Sequence, residues 1–258
     1  MRLAVAASLL FTMVAGRPHG NPRSPSFNTS KLAYYPAPEN NGLGVAVLVL
    51  PGGGYSHVSL DREGSNSTTY LNAKGYDAWV LDYSTAETAA TPLYPVPLEE
   101  ALGAVRYIRN QKRVKVDKLG IWGYSAGGHL AAVTVTNPEA DLDFGILTYP
   151  VISMDAAITH NGSRTNLLGD NPPEKLVEKM SAETRVTDKT PPIFIYHSAN
   201  DATVPVENAL RFINALTEKD RPYQALILPD AAHGIALALD DPQRNWTPEL
   251  DRFLTYSI

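Results

Sequence analysis

Six short apolar runs recur along the chain: Val45 to Leu50, Ala78 to Leu81, Leu119 to Trp122, Phe144 to Thr148, Ile193 to Tyr196 and Ala225 to Leu228. Each is continuous rather than alternating, the pattern of a strand covered on both faces. Amphipathic stretches lie between them: Asn66 to Lys74, Pro97 to Asn110, Ala126 to Val135, Val206 to Lys219 and Pro248 to Thr255. In the second, Leu98, Leu102, Val105 and Ile108 fall at helical spacing, with Arg106 and Arg109 on other faces. Strands alternating with helices predict βαβ units, hence an α/β fold with a mostly parallel central sheet and helices on both faces. The segment from Val151 to Pro191 breaks the alternation. It is rich in Asn, Pro and Ser with a short helical piece around Lys175 to Met180, and is read as a small cap at about 151–191.

At 258 residues the chain fits a single core. The domain is expected to run from 27 to 258, behind a segment of different character. Arg2 followed by the apolar run Leu3 to Gly16 has the pattern of a secretory signal peptide, here 1–16. A buried N-terminal strand or helix is the competing reading, and the run is too short to span a bilayer. The polar, Pro-rich stretch 17–26 reads as a flexible leader. Asn-x-Ser/Thr sequons at Asn28, Asn66, Asn161 and Asn245 fit passage through a secretory pathway and predict a secreted, extracellular glycoprotein. The chain has no cysteine, which removes disulfides and thiolate chemistry. A net charge of −5 argues against nucleic acid as a partner, because phosphate binding needs clustered Lys and Arg.

The chemistry centres on Gly123-Tyr124-Ser125-Ala126-Gly127, a G-x-S-x-G sequence placed directly after one strand and opening a helix. Strand, tight turn and helix form the context in which such a serine is held strained and exposed. Serine alone is a poor nucleophile, so a base and an orienting acid must follow in the order Ser, acid, His. The strand Ile193 to Tyr196 leads to Asp201, and Ala225 to Leu228 leads to His233, so both reach the rim that carries Ser125. His57, His129, His160 and His197 are the alternative bases. His129, one turn after Ser125, reads as a packing residue; His57 follows a glycine loop and could line the site. Asp230, three residues before His233, competes with Asp201 as the acid.

The strand Val45 to Leu50 ends in Pro51-Gly52-Gly53-Gly54-Tyr55, a loop similar to the one that supplies oxyanion donors in lipases and esterases. The N–H of Ala126 supplies a further donor. Tyr55 and Tyr124 flank these two loops and are expected to contact substrate. No Gly-Lys-Ser/Thr and no G-x-G-x-x-G leads into a helix, so a phosphate cradle is excluded. No His, Asp and Glu set has metal-ligand spacing, and neither metal nor other cofactor is expected. Asp61-Arg62-Glu63, Glu99-Glu100 and Asp240-Asp241 read as solvated faces or caps. Trp79, Trp122 and Trp246 read as core or rim residues, with Trp246 late enough to be exposed.

These residues resemble the α/β-hydrolase superfamily over nearly the whole mature chain. The combination of Leu-Pro-Gly-Gly-Gly-Tyr, Gly-Tyr-Ser-Ala-Gly-Gly-His-Leu-Ala, Gly162 to Gly169 and Asp201-Ala-Thr-Val-Pro-Val-Glu-Asn is similar to the acetylxylan and feruloyl esterase group. The resemblance implies a triad of Ser125, Asp201 and His233 and an oxyanion hole from Gly53, Gly54 and Ala126. Many relatives carry an Arg-Leu-Ala-Pro type segment after the strand ending near Leu81; this chain reads Asp82-Tyr83-Ser84-Thr85-Ala86-Glu87. The expected activity is hydrolysis of carboxylic esters, with removal of acetyl groups from plant cell-wall xylan as the favoured substrate reading. A general short-chain carboxylesterase or feruloyl esterase, and a silent binding protein on the same scaffold, are the rivals. No propeller-sized second domain, which gates peptide substrates in peptidases, is expected.

Overall fold

In the computed structural model, which describes residues 27–38 and 43–258, the six apolar runs form strands that lie side by side. The expected signal and leader segments, 1–16 and 17–26, fall outside the described residues. The strands are β1 (Leu32–Tyr35), β2 (Val45–Leu50), β3 (Asp77–Leu81), β4 (Lys118–Tyr124), β5 (Phe144–Thr148), β6 (Ile193–Ser198) and β7 (Tyr223–Leu228). They make one sheet in the order β1-β3-β2-β4-β5-β6-β7, parallel throughout except for antiparallel β1 against β3.

Side chains along β2 show why its run is continuous. Ala46, Leu48 and Leu50 pack with Val105 of α2 (Val96–Asn110), Leu130 of α3 (Ser125–Val135) and Phe212 of α6 (Glu207–Glu218). Val47 and Val49 pack on the other face with Leu71 of α1 (Asn66–Ala73) and Phe253 of α7 (Thr247–Tyr256). Both faces of the strand are therefore dry, as a doubly covered sheet requires. Every residue of α3 is buried, because the helix is enclosed between sheet and neighbours, and its composition is accordingly apolar on all sides.

β1 escaped the pattern reading. Its four residues are half-buried or exposed, and it is held by pairing with β3 and by Tyr34, which stacks on Trp79 at 4.5 Å and donates to Asp77 at 2.7 Å. Trp246 is not at the surface, as its position suggested, but fully buried: it stacks on Tyr196 at 4.9 Å and donates its indole N–H to the Ala236 carbonyl. Of the sequon asparagines, Asn28, Asn66 and Asn161 are exposed. Asn245 is half-buried, its Oδ1 accepting from the N–H and hydroxyl of Thr247.

Between β5 and β6 the chain leaves the sheet to form α4 (Asn161–Leu168) and α5 (Glu174–Met180). A buried side chain on α6 helps to tie this excursion down. Asn208 accepts from the N–H groups of Ile152 and Ser153 and donates to the carbonyls of Ile158 and Pro205. The excursion thereby rests over the carboxyl ends of the strands, where open parallel sheets place their sites.

Candidate active site

β4 ends at Tyr124 and α3 begins at Ser125 with no residue between them. Ser125 absorbs the turn with φ of 52°, a left-handed conformation costly for any residue with a Cβ. Two glycines make the turn sterically feasible. A Cβ on Gly123 would lie 2.2 Å from the Gly127 carbonyl oxygen, and one on Gly127 would lie 2.1 Å from that of Leu50. The motif thus reflects close backbone approach at both glycines and strain at the serine between them.

His233 Nε2 lies 2.9 Å from Ser125 Oγ, and its Nδ1 lies 2.7 Å from Asp201 Oδ2. With Nδ1–H donated to Asp201, Nε2 is left to accept the serine hydroxyl. Asp201 Oδ1 accepts the N–H groups of Thr203 and Val204, both at 2.9 Å, which fixes the carboxylate in its loop. Burial raises the Asp201 carboxyl, but the hydrogen bonds from His233, Val204 and Thr203 outweigh it and hold the group below its ordinary value. Asp230 points elsewhere, pairing with Arg244 at 2.6 Å.

The other histidines have different surroundings. His129 is fully buried, with Nδ1 2.8 Å from the Tyr55 hydroxyl and Nε2 2.7 Å from the Met180 carbonyl. Burial pushes it down to about 4, so it is neutral and packs α3 against the cap. His197 is buried behind Asp201, its Nε2 2.9 Å from the Val204 carbonyl, and burial lowers it too. His57 and His160 line the same pocket as Ser125 and His233. His160 also starts α4, its Nδ1 accepting the Ser163 N–H at 3.2 Å.

Gly53 and Gly54 line that pocket as well, and among the described residues their N–H groups donate to no backbone or side-chain acceptor. Ala126 is the second residue of α3, so its N–H has no intrahelical acceptor either. The Gly52 N–H, in contrast, is taken at 2.6 Å by Glu63 Oε2. The pocket measures about 380 Å³, and Ser56, Ser59, Arg62, Asn166 and Thr203 are among the residues that line it. Asn166, on α4, donates to the Gly54 carbonyl at 2.9 Å, joining cap and glycine loop.

Three expectations are corrected here. Tyr55 and Tyr124 do not present their side chains to substrate: both are fully buried, with hydroxyls engaged by His129 and Ser67. Glu63 is not on a solvated face. It lies in a wide helical turn, Leu60–Ser65, which rotates it inward until it is 5 % exposed. Its carboxyl is raised by burial, opposed by hydrogen bonds from Gly52 and Tyr149. Glu63, Tyr149 and Asn166 have no assigned part in the site from sequence, while His160, an alternative base there, lines the pocket without joining the relay; the charged run around Glu63 gives no sign of its burial.

Among the described residues no group of His, Asp or Glu is arranged to hold a metal ion, and no helix is long and apolar enough to cross a membrane.

A mostly parallel sheet, a serine on a strained strand-to-helix turn, and an acid and a histidine from the two following strand ends define the α/β-hydrolase fold. The chain belongs to the prolyl oligopeptidase family, whose model matches residues 94–257. It is 39 % identical over 217 residues to endo-1,4-beta-xylanase B of Butyrivibrio fibrisolvens, covering 78 % of this chain and 34 % of that protein. It is 34 % identical over 206 residues to an acetylxylan esterase of Xylanibacter ruminicola, covering 76 % and 42 %. The chain therefore spans between a third and a half of the length of these two relatives. The crystal structure of an acetyl ester-xyloside bifunctional hydrolase from Caldicellulosiruptor lactoaceticus superposes with a TM-score of 0.80 at 33 % identity, covering 92 % of this chain and 93 % of that one.

Proposed function

We propose that this protein is a secreted serine esterase that removes acetyl groups from xylan-type carbohydrate. The observation that carries the reading is the relay from Ser125 through His233 to Asp201, opening on a small pocket. His233 takes the hydroxyl proton as Ser125 attacks the ester carbonyl, and Asp201 holds and stabilises the imidazolium. The developing oxyanion meets the N–H groups of Gly53, Gly54 and Ala126, each donor of this kind contributing about 3 kcal/mol in well-measured hydrolases. His233 gives its proton to the leaving sugar oxygen, which departs as the free hydroxyl, then activates water to release acetate from the acyl-enzyme.

The names of the xylan-related relatives support the sugar as the alcohol part. Ser56, His57, Ser59 and Thr203, which line the pocket, offer hydrogen-bonding groups that a sugar could meet. Secretion rests on the apolar run at 3–16 and on the sequons, and is checked by the N-terminus and endoglycosidase sensitivity of protein recovered from the medium.

The substrate assignment is tested by measuring acetate and ferulate released from acylated xylo-oligosaccharides, beside p-nitrophenyl acetate. Saturable acetate release from the oligosaccharides, at a kcat/KM above that for the aryl ester, is the expected result. Turnover of the aryl ester alone, or release of ferulate rather than acetate, contradicts it.

A further inference from the structure

One carboxylate connects two loops of the site. Glu63 Oε2 accepts the Gly52 N–H at 2.6 Å, at the root of the loop that carries Gly53 and Gly54. Glu63 Oε1 accepts the Tyr149 hydroxyl at 2.8 Å, and that hydroxyl in turn accepts the Ala236 N–H at 3.1 Å, three residues beyond His233. The Tyr149 ring stands edge-on to the His233 imidazole with centroids 4.9 Å apart. Both Glu63 and Tyr149 are buried, and neither reaches Ser125 through a hydrogen bond.

The local backbone is unusual at each end of this chain of bonds. Glu63 sits in a six-residue π-helical turn, a form that recurs at functional sites. Tyr149 and Ala236 both adopt positive φ, 38° and 55°. The fold accepts strain at two non-glycine residues where these hydrogen bonds form. At Gly52 the packing is also tight, since a Cβ there would lie 2.9 Å from Glu63 Oε2 and 3.0 Å from Ser125 Cβ. Gly52 is therefore wedged between the Glu63 carboxylate and the nucleophile turn, and Glu63 also borders the pocket.

We infer that Glu63, acting through Gly52 and through Tyr149, is a positioning residue that sets the oxyanion loop and the His233 loop in register with Ser125. Losing either contact leaves the pocket lining in place but lets one loop drift against the other. Misplacement by about 1 Å is enough to cost a catalytic step about a hundred-fold. The effect falls on attack at the acyl centre and not on substrate capture. The inference rests on the serine-hydrolase reading of the site.

The test uses Glu63→Gln, Tyr149→Phe and the double variant in the full chain. The main readout is the second-order rate of Ser125 phosphonylation by a fluorophosphonate. In that reaction Oγ bonds to phosphorus, fluoride leaves and His233 takes the hydroxyl proton, so no knowledge of the natural substrate is needed. Steady-state kcat and KM on p-nitrophenyl acetate, and the melting temperature, accompany it.

Phosphonylation and kcat are expected to fall about a hundred-fold in Glu63→Gln and less in Tyr149→Phe, with KM within about threefold of wild type. The double variant should lose less than the product of the two single losses, since both changes cut one chain of bonds. Unchanged rates in Glu63→Gln, losses that merely follow the unfolded fraction, or losses that multiply in the double variant overturn the inference. Wild-type phosphonylation without aryl acetate turnover overturns the esterase reading while the variant rates still judge Glu63. If the wild type is not phosphonylated at all, both fall.

Discussion

His129 and Glu63 are two buried ionisable side chains beside the nucleophile turn. His129 follows Ser125 by one helical turn and its role in packing was legible from that position. Its neutral form is held by burial at about 4, against about 6.5 for an exposed imidazole. The unfolded chain therefore binds the extra proton between these values while the folded one does not. Stability contributed at this site is complete above pH 6.5 and is lost as the pH falls toward 4, by up to about 3 kcal/mol. In His129→Gln the unfolding free energy, followed by urea titration from pH 7 to pH 4, should decline less steeply than in wild type; an identical decline contradicts the assignment. Glu63 was misread because the charged triplet Asp61-Arg62-Glu63 has the composition of a surface, and only the wide turn at Leu60–Ser65 aims its third member inward. Tyr55 and Tyr124 were misread for the opposite reason, since adjacency to a catalytic loop in sequence says nothing about which way a side chain points.

At the scale of elements, the strand ends were the most informative part of the sequence. Ser125, Asp201 and His233 each follow a continuous apolar run, and parallel strands bring their carboxyl ends to one rim, so the three could be grouped before any coordinates. The antiparallel β1 carries no such run, and its half-exposed edge position explains why it left no pattern. The cap is legible as an interruption, but its attachment is not, because it depends on scattered contacts such as His129 with Met180, Asn166 with Gly54 and the buried amide of Asn208. Asn208 makes four hydrogen bonds, two as acceptor and two as donor, three of them to the stretch Ile152 to Ile158. Asn208→Ala leaves those backbone groups unpartnered and should destabilise the protein by about 3 kcal/mol. Amide exchange at Ile152 and Ser153 should quicken well beyond that of β4, and equal protection in the two regions contradicts the role assigned to Asn208.

For the whole molecule, three separate pieces close the site: the glycine loop after β2, the cap helix α4 through Asn166 and His160, and the loop after β7 that carries His233. Their convergence leaves about 380 Å³, enough for a small acyl group and part of a sugar. Turnover is accordingly expected to fall as the acyl chain of p-nitrophenyl esters lengthens from acetate to octanoate; a rising series would point to a lipid-like substrate. The central claim is that Ser125 itself carries the acyl group, and it is tested most directly by acid-quenching the protein during turnover of p-nitrophenyl acetate and locating the acetyl group by peptide mass. The account predicts acetyl on the peptide containing Ser125, and turnover reduced about a million-fold in Ser125→Ala. Acetyl on another residue, or turnover that survives Ser125→Ala, would contradict it.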